Sequence, residues 1–304
     1  MTRLKDKWSG TLVLVAQPAE EPIEGAIAMI EDGMYTTHGV PKPDYYLTFH
    51  TGPFPTGTVV LTGGRLNTGS DHIDVTFYGS GGHGSSPHHA TDPVIMAGMA
   101  IVQLQTVVSR MVDPVEVGVL TIGSMQAGVD NNVIPTEATL KLKLHYSKPE
   151  VRESMVAGIE RIANNIARTY GITSDDMMPA IVYKGYAPAV FNSEEYMARI
   201  REVLAEADAA DKIVNDARVI EGVAVHDLTI PGSDDAFALI EDVEDVKGAY
   251  LGIGTAEPAL VAAARAEGHE FPFFVHEPNY IVNLDAIPYG TRIATVLALD
   301  VLGK

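Results

Sequence analysis

Cysteine is absent from all 304 residues, which excludes disulfides and thiolate metal sites within the chain. Basic side chains are scarce: 21 Lys and Arg stand against 40 Asp and Glu, a formal charge of -19. That surplus argues against nucleic acid or an anionic membrane surface as a partner. The first residues show no basic segment followed by a short apolar one, and no run is long enough to span a bilayer. Internal repeats and low-complexity segments are also missing. What is present, 46% hydrophobic and 20% charged residues, suits a globular chain of one large or two ordinary domains. A cytoplasmic enzyme is the expectation.

The chain is organised around Thr11 to Glu21, TLVLVAQPAEE. Leu12 to Ala16 is apolar and β-branched and reads as a buried strand, which Pro18 stops near Gln17. Glu20 and Glu21 follow at once, ahead of a small-residue helix over Ala26 to Asp32 that Gly33 closes. Open α/β sheets place their sites at such carboxyl edges. Taken alone, the two glutamates equally suit a solvated loop that favours a helix N-terminus. Asp44 to Phe49 is a second strand, delivering His50 before Pro53, Pro55 and Gly57 break the chain, and Thr58 to Thr62 is a third.

From Ser70 the texture changes. Strands at Ile73–Tyr78, Val115–Ile122, Thr136–Tyr146 and Ala180–Tyr183 alternate with long helices at Asp92–Arg110 and Glu150–Tyr170. The order β-α-β-β-α-β is the split, ferredoxin-like layout. With boundaries near 69 and 179, it reads as a lid (70–179) inserted into an α/β domain formed by 1–69 and 180–304. That outer domain resumes with a helix capped by Ser193, a helix capped by Ser233, a strand at Lys247–Ile253, an Ala-rich stretch ending at Gly268, a run Phe271–Val275 leading to His276, and a final helix at Ile287–Leu302.

Glu21, His50 and His276 each fall at or just beyond an expected strand end, and a mixed His/carboxylate set suits zinc or a similar cation. Spacing alone cannot show that they converge. Glu20 beside Glu21 suits a hydrolytic division of labour, one carboxylate on the metal and one taking a proton from water.

The motifs QPAEE, FHT with GPFPTG, GSGGHGSSPHHATDPV, NNVIPTEA, GSDDAFAL and FVHEPNYIVNLDAIPYGTRI occur in order along essentially the whole chain. In this combination the chain resembles the amidohydrolase branch of the aminoacylase-like zinc metallopeptidases, which includes hippurate hydrolase and the hydrolases of indole-acetyl amino acids. The resemblance implies a zinc-peptidase-like α/β catalytic domain with the ferredoxin-like lid. It makes Glu20 the general base and Glu21, His50 and His276 metal ligands of a two-cation site (zinc, manganese, cobalt or nickel). His83 would be a lid histidine that reaches a partner subunit's site and steadies the reaction oxyanion. Asn132 matches a substrate-contacting asparagine, although a turn residue beside Pro135 would look the same. His145 stands where relatives often carry an arginine, and imidazole cannot copy a bidentate guanidinium. His88 and His89 suit solvated lid positions; His38, His72, His226 and His269 give no argument for a role.

The family also implies a metal-binding segment upstream of Thr11, with a His and a bridging Cys or Asp, which this sequence does not contain. The expectation is therefore part of a dinuclear site, weak or no hydrolysis by the chain alone, and apolar surface bared on Thr11–Ala16 and Ala26–Ile30. The implied reaction is hydrolysis of N-acyl amino acids by a lid-mediated homodimer; the alternative is a non-catalytic homologue that keeps the fold and interface.

Overall fold

The computed structural model describes residues 1–209, 218–220 and 232–304. In chain order the elements are α1 (Gly25–Glu31), β1 (Tyr45–Pro55), β2 (Thr58–Val60), β3 (Gly69–Tyr78), α2 (Pro93–Met111), β4 (Gly118–Ala127), β5 (Glu137–Tyr146), α3 (Pro149–Thr169), β6 (Ala180–Ala187), α4 (Glu194–Ala209), β7 (Arg218–Ile220), β8 (Lys247–Ala256), α5 (Pro258–Ala266) and α6 (Ala286–Leu302). A 3-10 helix, Asp235–Ile240, precedes β8.

The lid forms as its periodicity dictates. Val151, Met155, Ile159, Ile162 and Ile166 recur at helical spacing and all are buried along α3. Asp92 caps α2 by accepting from the Val94 amide at 2.9 Å. Ile73, Val75 and Phe77 of β3 and Leu140, Leu142 and Leu144 of β5 point at the two helices and complete one core. The antiparallel sheet runs β4-β5-β3-β6, the ferredoxin-like order. Its fourth strand runs through Ala187, so the lid sheet continues past the expected boundary at 179. Buried Asp71 on β3 accepts both Nε and an Nη of Arg152 on α3 at 2.7 Å, tying sheet to helix. One further expectation is corrected here: α2 has the length and composition of a bilayer span, with mean hydropathy 1.4. Met96, Ala97, Ala100, Leu104 and Val107 on one face are buried in the lid core, while the exposed face is apolar at Ile95, Met99 and Val102 and polar from Gln103 on.

The outer domain has a sheet in the order β1-β8-β2-β7. β8 pairs parallel with β1 and antiparallel with β2. One face packs on Met197, Ile200 and Leu204 of α4 and on Tyr289, Ile293 and Leu297 of α6. On the other side, Phe237 and Ile240 pack with Tyr250, while Ala26 of α1 packs with Leu239. Pro53 and Pro55 do not end β1. Among the described residues it is an edge strand, where a missing N–H leaves no ladder bond unmade, and the register merely shifts between Gly52 and Pro55. His50 consequently stands inside the strand, opposite Gly252.

Leu12 to Ala16 is not a buried strand. The run has no regular secondary structure, joins no ladder among the described residues, and leaves Leu14 88% exposed. A strand needs a partner for its backbone donors and acceptors; here Val13 to Ala16 instead line an open groove with Met29, Met34 and Val40. Two other elements differ from expectation. Asp234, not Ser233, caps the 3-10 helix, accepting the Ala236 amide at 2.8 Å. Phe271–Val275 is irregular, and His276 follows in a turn.

Candidate active site

The chain between Gln17 and Ala26 folds into a tight, strained turn. Ala19 and Ile23 both have left-handed backbones, φ 49° and 55°, at a cost of about 1–3 kcal/mol each. The strain is greatest for Ile23, whose β-branched side chain rarely tolerates that region. The Ile23 amide donates to the Glu20 carbonyl at 2.7 Å, and the Gly25 amide to the Ala19 carbonyl at 3.2 Å. Gly25 is required here: a Cβ on it would lie 1.6 Å from the Pro18 carbonyl oxygen. The turn separates the two glutamates. Glu20 is half-buried against Asp234 and Asp235, the three offering carboxylate oxygens within 4.8 Å of one another. Glu21 is exposed and places Oε2 3.7 Å from Nε2 of His276.

Burial, with Asp234 next and then Glu21, pushes the Glu20 carboxyl above its ordinary range; His50 nearby partly offsets this and Asp235 adds to it. Burial likewise raises Asp235, against the lowering effect of hydrogen bonds from the Ala26 amide and Gln17. Asp234 also accepts the Tyr250 hydroxyl at 2.6 Å.

His50 is close to Glu20 electrostatically, and its ring stacks on Tyr250 with centroids 6.1 Å apart. Its Nδ1 lies 2.6 Å from the Thr51 carbonyl oxygen. A carbonyl only accepts, so Nδ1 carries the proton and Nε2 keeps its lone pair for a ligand. His276 adopts a left-handed backbone, φ 67°, the third strained residue at this site. Two donors about 2.1 Å from one tetrahedral cation stand roughly 3.4 Å apart. The Glu21–His276 separation therefore suits shared ligation, and the carboxylate and imidazole donors fit a divalent cation. Glu21, His50 and His276 do not, however, close into a set with all ligand atoms within 4.8 Å of one another; among the described residues the set that does is Glu20, Asp234 and Asp235.

On the lid, His83 and Asn132 come together across a short ladder, with the Asn132 amide group 3.2 Å from His83 Nε2. The Ser85 amide donates to Nδ1 at 3.2 Å, and its hydroxyl lies 2.7 Å from the same atom. Nδ1 is thus an acceptor, which puts the proton of the neutral ring on Nε2, beside the Asn132 amide group. No hydrogen bond or ion pair among the described residues joins this exposed pair to Glu20, Glu21, His50 or His276 in the same chain. His145 is separate again, half-buried on β5 with Nδ1 3.2 Å from the Thr68 hydroxyl. Burial first, then Lys143 and His72, lower its pKa. It is therefore a neutral group near pH 7, not a substitute for a guanidinium. His226 lies outside the described residues.

Asp234 and Asp235 are the site residues that sequence reasoning missed. Their signal is an acidic pair set directly against the apolar run Ala236–Ile240, where neither carboxylate can be solvated without a partner.

Comparison with known proteins bears on the family and the fold. Residues 66–171 match the peptidase dimerisation domain of the M20 family. Hippurate hydrolase of Campylobacter jejuni subsp. jejuni is 36% identical over 200 residues, 66% of this chain and 50% of that protein. N-acetyldiaminopimelate deacetylase of Streptococcus sanguinis is 30% identical over 282 residues, 92% of this chain and 65% of its own length. The chain belongs to the M20 peptidase family. Among solved structures, a protein described as an aminohydrolase from methicillin-resistant Staphylococcus aureus superposes with a TM-score of 0.75 at 28% identity, over 99% of this chain and 69% of that one. A dinuclear metal-binding M20 peptidase from Bacillus subtilis shares the fold, with a TM-score of 0.62 at 24% identity over 94% and 64% of the two chains. This M20 chain spans about half to two thirds of the length of these curated relatives.

Proposed function

We propose that this M20 protein is a metal-dependent amidohydrolase that splits N-acyl amino acids or related small amides. The observation that carries the reading is the strained turn, which turns Glu20 toward a half-buried acidic pocket while Glu21 faces His276. Glu21 and His276, joined by His50 through its free Nε2, are the cation ligands in this reading. A bound divalent cation would lower the pKa of water and polarise the amide carbonyl. The chain's own contribution is proton handling. The water oxygen bonds to the amide carbon, Glu20 takes the proton released, and the C–N bond breaks as that proton passes to the leaving nitrogen. His83, with its proton on Nε2, is the donor for the developing oxyanion. Asn132 orients it and contacts substrate, and His145 contacts substrate as a neutral hydrogen-bonding group. The names of the relatives, hippurate hydrolase and N-acetyldiaminopimelate deacetylase, support an acylated amino acid as the substrate class.

The test is zinc-dependent release of glycine from hippurate, or of acetate from N-acetyl amino acids, followed with Glu21→Gln. The reading expects that variant to weaken zinc binding at least tenfold and to lose turnover. Unchanged zinc affinity would remove Glu21 from the ligand set.

The protein is further proposed to be a homodimer through its lid. The exposed face of α2 carries Ile95, Met99 and Val102 at i, i+4 and i+7, with Val102 67% exposed. Outer strand β4 beside it offers Val119 and Met125 and, among the described residues, an unpaired ladder edge. Sedimentation of Val102→Glu should show a monomer at concentrations where the parent chain is dimeric. A dimer of unchanged affinity would place the interface elsewhere.

A further inference from the structure

We infer that Asp235 is the positioning residue of the catalytic turn, holding it from both sides so that Glu20 and Glu21 keep their opposed orientations. This rests on the proposed roles of the two glutamates. Asp235 is fully buried. One carboxylate oxygen accepts Gln17 Nε2 at 2.6 Å, just before the turn; the other accepts the Ala26 amide at 2.9 Å, just after it. Everything between these anchors is the strained segment that carries left-handed Ala19 and Ile23. A left-handed, β-branched residue persists only where its surroundings over-determine it, and internal bonds of the turn alone do not fix its place on the domain. Asp235 supplies that tie, because it leads the 3-10 helix that packs against Tyr46 and Tyr250. A third restraint comes from the lid, where the Tyr186 amide of β6 donates to the Ile23 carbonyl at 3.1 Å. Two hydrogen bonds to a single buried carboxylate are charge-assisted and strong, and a turn that carries a ligand loses metal affinity when that ligand is no longer held in place.

The geometry separates positioning from charge. In Asp235→Ala both anchors are lost. In Asp235→Asn both can be kept: the amide oxygen accepts the Ala26 N–H, and the amide nitrogen donates to Gln17 once that side chain turns end for end. The experiment compares Asp235→Ala, Asp235→Asn and Gln17→Ala in the full chain by backbone hydrogen exchange at Ile23, Gly25 and Ala26, and by titration with zinc chloride. Expected are roughly tenfold or faster exchange and at least tenfold weaker zinc binding in Asp235→Ala, with both near the parent values in Asp235→Asn. Should Asp235→Ala not fold, Gln17→Ala decides, with faster exchange in the same turn expected. Unchanged exchange in a folded Asp235→Ala or in Gln17→Ala, or an Asp235→Asn as impaired as the alanine variant, overturns the inference. Glu21→Gln serves as the control: it should lose zinc without altering exchange in the turn. If it keeps zinc, the ligand assignment fails while the exchange result still judges Asp235.

Discussion

Glu20→Gln is expected to lower kcat roughly 10²–10⁴-fold, the range for a lost general base, while leaving metal content unchanged. Glutamine fills the same space and still accepts a hydrogen bond, but it cannot hold the proton taken from water. The structure sharpens this expectation because Glu20 faces Asp234 and Asp235, whereas Glu21 faces His276. In preparations that hydrolyse an N-acyl amino acid, kcat and bound zinc are to be measured on the same samples. Loss of zinc together with activity would make Glu20 a ligand and would shift the cation toward the Asp234–Asp235 side.

His83→Ala should cost a comparable part of the rate, and its loss should be repairable by the other subunit. Among the described residues of its own chain no hydrogen bond or ion pair joins the His83–Asn132 pair to the glutamates, and it sits exposed on the lid. If the pair serves a neighbour's site across a two-fold axis, a dimer of one Glu20→Gln and one His83→Ala chain contains one complete site. It takes Glu20 from the His83→Ala chain and His83 from the other. Random mixing then restores about a quarter of parental activity, since half the dimers are mixed and each holds one working site of two. Mixed dimers that form and remain inactive would show that His83 acts within its own chain or not at all.

The lid was readable in the sequence because its helices are amphipathic over many turns and its strands alternate cleanly, so local pattern and tertiary burial agree. Val151 to Ile166 on α3 is the clearest instance. The outer domain was harder to read. Leu12 to Ala16 has the composition of a buried strand, yet burial depends on a ladder partner that composition cannot report. The prolines after His50 suggest a strand end there; on an edge strand they do not break the ladder. The placement of His276 in a left-handed turn has no local sequence signature, since only a small minority of histidines adopt that region. Asp234 and Asp235 were legible only as part of a motif. Their meeting with Glu20 is a contact between segments far apart in the chain, and no periodicity encodes it. The separation of Glu20 from Glu21 follows from the strained backbone at Ala19 and Ile23, which only the folded chain reveals.

The most direct measurement is anomalous scattering at the zinc edge from crystals of the protein grown with zinc chloride. The account predicts a peak about 2.1 Å from Glu21 and His276, with His50 Nε2 turned toward the same site and Glu20 near but not bound. A peak instead held by Glu20, Asp234 and Asp235, with Glu21 and His276 free, would contradict it.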